Sequence, residues 1–532
     1  MMQKLKCRWG GALGLLVMVV TLCAGGEVQS APATPVQNAI FATIITVNSG
    51  TDPDDSQSKT CLTDTPCTLR RAIVQARLAT SRPVLINFNI PAEAAHGYDA
   101  AQQLWRIQVY NTTQTSIFRR LNGDITIDGS TQPGGRTTGP KIVIVGPGTG
   151  TKDGLIVGDV AGNDNIIIRG LGFQNLRTSI YVNTDHNLIV NNWFGLNDAG
   201  TAPLLRSANP QNGSGSDGVA LITGADYNEI KNNYFLGLNG VAAAIRGTHN
   251  TFSGNFIGTR ADGRVTEKKT DPSLICTPED WLGGSGISVA DSDNTIEDNV
   301  FAGIRIQISQ WSLQADSIRV SGQRQTIRNN RIGRDGANTA IGVCGRGIYL
   351  SDGPKTLTIQ GNQIVEAELS AISLNGALYD ANTLRSNVIL KTKAWPHLEG
   401  ASRPESAIQV NPSLPDPFET FRPARVTQIS GVTVQGTAGA NSPCPNCVIE
   451  LFRDDTDNIT ETLASLAVVT ANAQGNWSAT LATPLAEGQG LRTTSTTPQY
   501  NTIPNMSAGT TTGLSELYVA GYKVYLPLTL KH

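Results

Sequence analysis

The sequence predicts an all-β protein: a stacked β-helix followed by a small β-sandwich. Three observations predict it. A short motif, Asn-x-Ile-x-x-Asn-x-apolar, recurs along the middle of the chain, and its copies are 22 to 44 residues apart. A second kind of short apolar strand, usually after glycine, sits between the copies. Composition agrees: 39% of the 532 residues are hydrophobic, only 16% are charged, and there are 55 glycines. That is enough apolar material to exclude wholesale disorder, and too little charge for helical bundles or coiled coils. The formal net charge of −2 argues against a nucleic-acid partner held by bulk electrostatics.

Taken in chain order, residues 1–30 have the form of a secretion signal. Lys4, Lys6 and Arg8 precede an apolar run from Leu13 to Cys23, and the small residues Val28 and Ser30 suit a cleavage site. Cys23 suggests lipid attachment, but Leu22 before it is bulkier than the usual small residue. No later segment is apolar and long enough to span a membrane, so the mature chain is expected to have none. Residues 31–390 form the β-helix. The open end of a coil is an unpaired strand edge, and residues 43–79 are expected to cover it. Thr43-Ile44-Ile45-Thr46-Val47 reads as a strand. A helix follows within 65–79, with Thr65 as cap, Pro66 in the first turn, and Leu69, Ile73 and Ala76 on one face.

The repeat itself runs Asn187…Ile189…Asn192, Asn228…Ile230…Asn233, Asn250…Phe252…Asn255 and Asn294…Ile296…Asn299. It continues with Ile327…Asn330, Ile359…Asn362 and Asn382…Leu384…Asn387. The second asparagines are 41, 22, 44, 31, 32 and 25 residues apart. The shortest interval is one coil, and longer ones are a coil plus an inserted loop. Alternation within each strand sends Ile, Val, Leu and Phe inward to stack from coil to coil. Asparagine is expected at the corner, in left-handed or bridge backbone, with its amide bonding the neighbouring coils. No coil can bury its face alone; stacking does it.

Several of these segments resemble a known family. Cys67-Thr68-Leu69-Arg70-Arg71-Ala72-Ile73 is similar to the Cys-Ser-Leu-Arg-Glu-Ala-Ile motif of secreted bacterial β-helix proteins, with Arg71 in place of the usual Glu. Ile86-Asn87-Phe88-Asn89-Ile90-Pro91 and Ile125-Thr126-Ile127-Asp128-Gly129-Ser130-Thr131-Gln132-Pro133-Gly134 also resemble that family, as do the turns after Ile257 and Ile332. The resemblance covers about residues 43–390. It implies a right-handed, single-stranded parallel β-helix of pectate-lyase-like architecture and secretion, and no particular activity.

Residues 391–424 carry six prolines and read as a linker. From 425 to 510, alternating strands near ten residues apart predict a β-sandwich resembling a bacterial immunoglobulin-like module. Residues 511–532 form a tail, with Val524-Tyr525-Leu526-Pro527-Leu528 as a final edge strand rather than a sortase signal. Six cysteines lie beyond the signal, an even number that suits disulfides in a secreted chain. Cys61 with Cys67 and Cys444 with Cys447 are local pairs, which leaves Cys276 with Cys344. A redox or zinc role for Cys444-Pro-Asn-Cys447 lacks a second CxxC or a nearby histidine.

Common catalytic signatures (HExxH, GxSxG, a phosphate loop) are absent. On the second strand stack the expected outward row is Tyr181, Asn183, Ala220, Ala242, Ser288, Tyr349, Ser351, Ser373 and Asn375, small and neutral for the most part. Charge is confined to the adjoining turns, at Asp185, Asp217, Arg246, Asp291, Asp293, Arg346 and Asp352. These are the candidate catalysts if there is catalysis, and solvated turns otherwise. The row after the second asparagine reads Trp193, Tyr234 and Phe256, then Val300, Arg331, Gln363 and Val388. Three stacked aromatics offer a sugar- or partner-binding strip, to which Tyr181 and Tyr349 could add. The plainer reading, which weighs more, is that inserts 196–215 and 259–285 fold over them. Two acidic turns, at Asp52, Asp54 and Asp55 and at Asp454, Asp455 and Asp457, have oxygen ligands for calcium but no EF-hand pattern, so solvated turns are preferred and no cofactor is expected. The expectation is a secreted or cell-surface rod that binds a polysaccharide or a surface component without catalysis. The alternative is a polysaccharide lyase or glycoside hydrolase.

Overall fold

A computed structural model describes residues 40–52, 58–109, 116–147, 152–159, 164–204, 217–238, 240–265, 286–304, 316–351, 353, 356–367, 369–374, 381–392, 407–410, 421–438, 444–457, 459–498 and 507–519. Residues 1–30, read above as a secretion signal, lie outside these residues, as do Asp54, Asp55, Cys276, Asp352, Asn375 and the segment 524–528.

The chain is a right-handed parallel β-helix. Three long sheets run along it, of eleven, nine and eleven strands among the described residues. The first sheet runs from Thr43–Val47 to Thr383–Arg385, the second from Leu155–Val157 to Ile408–Val410, and the third from Tyr98–Asp99 to Val388–Leu390. Pairing is parallel throughout, apart from a small antiparallel hairpin at the start of the third sheet. From Ile125–Asp128 onward each coil contributes one strand to each sheet, and the inward residues form vertical columns. Ile168, Ile189, Ile230, Phe252, Ile296, Ile327, Ile359 and Leu384 are in register on the first sheet, as the spacing of the motif predicts. The phenyl rings of Phe173, Phe194 and Phe235 stack inside the third sheet at 5.1 and 4.7 Å.

The corner between the first and third sheets explains the asparagine repeat, with one correction. The left-handed residue is the one before each asparagine: Asn191, Asn232, Gly254, Asp298, Asn329 and Gly361 all have φ between 56° and 65°. The asparagine that follows points inward and is buried. Asn192, Asn233, Asn255, Asn299, Asn330, Asn362 and Asn387 form a ladder in which each Oδ1 after the first accepts the backbone N–H of the asparagine one coil earlier, at 2.9–3.1 Å, and Asn192 Oδ1 accepts the Leu171 N–H. Each Nδ2 donates to a first-sheet carbonyl such as Ile189 O. A second ladder (Asn187, Asn228, Asn250, Asn294, Gln325) repeats the oxygen half of this pattern at the entrance to the first sheet, each side-chain carbonyl after the first accepting the backbone N–H of the preceding member at 2.8–2.9 Å. Buried backbone groups need partners, and a short amide placed one residue past the turn supplies them in every coil.

At the N-terminal end, the helix Leu69–Leu78 packs on Thr43–Val47 and Val84–Phe88, burying Leu69, Ala72, Ile73 and Ala76. Its cap is Thr68, which accepts from the Arg71 amide; the helix therefore starts three residues later than a Thr65 cap would place it. Arg70 is buried and forms a two-pronged ion pair with Asp52, at 2.9 and 2.6 Å. Asp52 is thus an internal counter-charge rather than part of a solvated acidic turn. The Asp128–Gln132 segment staples the first coils: Asp128 binds Arg169 and the Ser130 amide, and the Gln132 side chain makes two bonds of 2.9 Å to Ile90.

Residues 425–519 contribute two antiparallel sheets, of three and four strands among the described residues, around Val434, Ile449, Leu451, Trp477 and Leu491, with Tyr518–Val519 as the outer strand of the second. They are not a bead on a free linker. Ile408–Val410, inside the Pro-rich stretch, adds the last rung to the second sheet, and Phe421 is fully buried. The last coil's backbone donors are met by this module: Leu384 N by Thr511 Oγ1, Ser386 N by the Glu450 carboxylate, and Ile389 N by Thr462 Oγ1. Hydroxyls and a carboxylate occupy the places that the next coil would fill, which disposes of the open edge. Cys61–Cys67 and Cys444–Cys447 are bonded, and Cys344 is disulfide-bonded as well. No described helix is long and apolar enough to cross a membrane.

Candidate functional site

Two outer faces carry chemistry. On the second sheet the outward column in register is Tyr181, Ala220, Ala244, Ser288, Arg319, Tyr349, Ser373 and Gln409. Ala244 replaces the expected Ala242, because the strand is Ala243–Ile245. Arg319 was not expected, since its coil lacks a glycine-led strand signal. The row is therefore not neutral: Arg346 and Arg319 lie over the Tyr349 ring, at 4.4 and 5.4 Å from its centre.

Charged candidates flank this column and divide into two kinds. Asp185 is structural, since its carboxylate accepts the Asp226 amide at 2.8 Å and so joins two coils. Asp293 is tied to Arg324 at 2.6 Å. Asp217 and Asp291 differ: burial raises both carboxyls above their ordinary range, and Arg246, which pulls them down, does not overcome it. Asp217 also accepts the Val241 amide at 3.0 Å. Asp316, missed from the sequence because it lies in no repeat, is fully buried beside Arg346 at 3.5 Å. Burial pushes its carboxyl up to about 6, against the opposing pull of Arg346.

This has a measurable consequence. The folded state holds the Asp316 proton more tightly than the unfolded state, so stability from this group is greatest below about pH 4. It falls as pH rises through 6, by roughly 3 kcal/mol in all. Asp316→Asn is expected to flatten the difference in unfolding free energy between pH 4.5 and 7.5. Identical pH profiles for the two proteins would show that Asp316 is not desolvated in this way.

On the third sheet the outward column is Gly172, Trp193, Tyr234, Phe256, Val300, Arg331, Gln363 and Val388, in the register the repeat predicts. The aromatics do not present a row of open faces. Tyr234 and Phe256 stack on one another at 4.8 Å and 10°, while Trp193 is turned 71° to Tyr234. The edge of Trp193 sits between two loops, each of which approaches it closely at a glycine. A Cβ at Gly139 (φ +75°) or Gly200 (φ +69°) would lie 2.3 or 2.6 Å from the indole. Arg136 covers it, with its guanidinium 5.0 Å from the ring centre. The insert after Phe194 therefore folds over Trp193, as the plainer reading expects for the described part of 196–215.

The cover is incomplete. A groove of about 340 Å³ runs between the 130–141 segment and the third sheet, lined by Arg136, Lys141, Trp193 and Tyr234, with Asn191 and Asn232 from the left-handed corners. The volume is at the small end of ligand clefts, about 300–1,000 Å³. Tyr181 and Tyr349 belong to the other face, so the five aromatic candidates do not form one site. A further exposed stack, His186–Tyr227–His249 at 5.1 and 4.8 Å, occupies the residue before each first asparagine. Its regular spacing from Asn187, Asn228 and Asn250 was the available signal.

For metal, Asp454, Asp455 and Glu461 bring carboxylate oxygens within 4.8 Å of one another. Arg492 already pairs with Asp454, and Glu461 accepts the Lys391 amide. Glu461 thus ties the module to the last coil, while Asp454 and Asp455 are bonded within the module, so the calcium reading gains nothing.

A family model described as "Right handed beta helix region" matches residues 276–442. No curated protein matches the sequence. Among solved structures, the Dettilon tailspike protein is 10% identical, over 88% of this chain and 92% of that one, with a TM-score of 0.32. The catalytic domain of a GH87 alpha-1,3-glucanase in complex with nigerose is 12% identical, over 69% and 68%, with a TM-score of 0.33. A tailspike protein of E. coli bacteriophage HK620, in complex with pentasaccharide, is 11% identical, over 80% and 87%, with a TM-score of 0.29.

Proposed function

We propose that this is a secreted or cell-surface β-helix protein that binds glycan on the outer face of its third sheet, with an immunoglobulin-like module closing the far end of the rod. The observation that supports the reading is the groove against Trp193 and Tyr234, walled by the 130–141 segment. A rigid sheet carries the aromatic floor, so little conformational entropy is lost on binding. Tyr234→Ala is expected to weaken binding to a glycan ligand found by array screening by about tenfold or more, with unchanged circular dichroism. Unchanged affinity in a folded variant would remove this face from the reading. Trp193→Ala is a poorer probe, because the indole also holds two loops.

A second reading, a polysaccharide lyase or hydrolase, draws on Asp217 and Asp291, whose carboxyls are raised toward the range of a general acid with Arg246 between them in charge. Release of unsaturated products or reducing ends from a polysaccharide, abolished by Asp217→Asn, would favour it over binding alone.

A further inference from the structure

The groove on the third sheet is cationic and not neutralised. Arg136 and Lys141 line it, and neither forms an ion pair with a carboxylate among the described residues. Their partners are carbonyls. Arg136 Nε donates to Pro140 O at 2.7 Å, Arg136 Nη1 to Asp198 O, and Lys141 Nζ to Gln132 O at 2.7 Å. Carbonyls satisfy N–H groups without cancelling charge. The remaining nitrogen, Arg136 Nη2, is buried and has no hydrogen-bond partner among the described residues.

The neighbouring carboxylate is already committed. Asp198 pairs with Arg106 through Oδ2 and accepts Gln174 Nε2 at Oδ1, at 3.0 Å. Burial lowers the Arg136 guanidinium below its ordinary value, Arg106 adds to the effect, and Asp198 opposes it. The site as it stands thus holds a cation that it does not fully stabilise. A half-desolvated guanidinium with an orphan N–H recovers most by gaining a charge-assisted bond to an anion. Asn191 and Asn232, exposed on successive coils at φ 57° and 56°, add neutral amides to the same groove.

We propose that the groove takes an acidic glycan, with a carboxylate or sulfate against Arg136 and Lys141 and ring hydroxyls on Asn191 and Asn232. The inference rests on the reading that this face binds glycan, and it names the class. The test is calorimetric titration of the full-length protein with three probes: an oligogalacturonate, a heparin oligosaccharide and a neutral glucan oligosaccharide. The expected result is binding of a charged probe that weakens as salt is raised. Arg136→Gln and Lys141→Gln should each weaken it about tenfold, while Arg136→Lys, which keeps the charge but not the guanidinium N–H groups, recovers only part of the loss. Preference for the first or second probe identifies carboxylate or sulfate as the anion. Should Arg136→Gln fail to fold, Lys141→Gln and the salt dependence carry the test. If the neutral probe binds as tightly, is lost in Tyr234→Ala and is indifferent to Lys141→Gln, the face binds glycan and the acidic class is wrong. If none of the probes binds, the inference falls; loss of the underlying reading also requires that the array ligand ignore Tyr234→Ala.

Discussion

Asn330→Ala is expected to cost about 3–6 kcal/mol, whereas Asn329→Ala, one residue earlier, costs about 1. The difference comes from what each side chain holds. Asn330 Oδ1 accepts the Asn299 backbone N–H at 3.1 Å and Asn299 Nδ2 at 3.0 Å, and Asn330 Nδ2 donates to Ile296 O at 2.9 Å. Removing it takes these bonds from the Asn299 N–H and the Ile296 carbonyl, each worth about 1–3 kcal/mol of desolvation if left unmet, and leaves Asn299 Nδ2 with only its bond to Phe252 O. Asn329 is exposed at φ 56°, so alanine there carries only the strain of left-handed backbone. Because coils of a stacked protein need not unfold together, hydrogen exchange is the direct measurement. The Asn299 amide should lose protection in Asn330→Ala and keep it in Asn329→Ala. Equal protection in the two variants would mean that the ladder does not carry the backbone.

Arg70→Met is expected to destabilise the N-terminal coils by about 3–5 kcal/mol, since it leaves Asp52 charged and buried. Arg70 spans the cluster: two bonds to Asp52, a third to the Ile117 carbonyl, and its guanidinium 5.5 Å from the Phe118 ring. Helix, first turn and a later loop all converge on one charge. Adding Asp52→Leu should recover part of the loss, because an apolar pair can replace a buried ion pair at little cost. Urea unfolding followed by exchange in Leu69–Leu78 would measure both; stability equal to the parent in Arg70→Met alone would contradict the buried-pair argument. The same contacts give a physical reason for the arginine that follows Leu69 in the N-terminal motif.

Much of the architecture was legible because the repeat is local. A strand alternates in and out, a left-handed residue turns the corner, and a short amide one residue later reaches the coil beside it. Ile189, Ile230, Phe252 and Ile296 could therefore be placed in one column from spacing alone, and Trp193, Tyr234 and Phe256 in another. Within the repeat the errors were a two-residue shift and a missed strand, both where the pattern has no strong marker. Ala244 rather than Ala242 faces outward because alanines on either side give no alternation to read. Arg319 was overlooked because Ile318–Val320 follows a serine instead of a glycine.

The candidate site was legible only as a column of residue types. Ring orientation, cover and charge balance all depend on segments far away in sequence. Arg136 meets Trp193 across 57 residues, and Asp198 is claimed by Arg106 across 92. Thr462 meets Ile389 of the last coil across 73 residues, and Thr511 meets Leu384 across 127. Short-range periodicity decided that this polypeptide stacks, which side chains point in, and how its corners are bonded. Which loop lies over which face, and what covers the last rung, was decided by contacts between elements whose sequences carry no mark of one another. Backbone geometry repeats with every coil, while the docking of loops and of the closing module happens once, so no period records it.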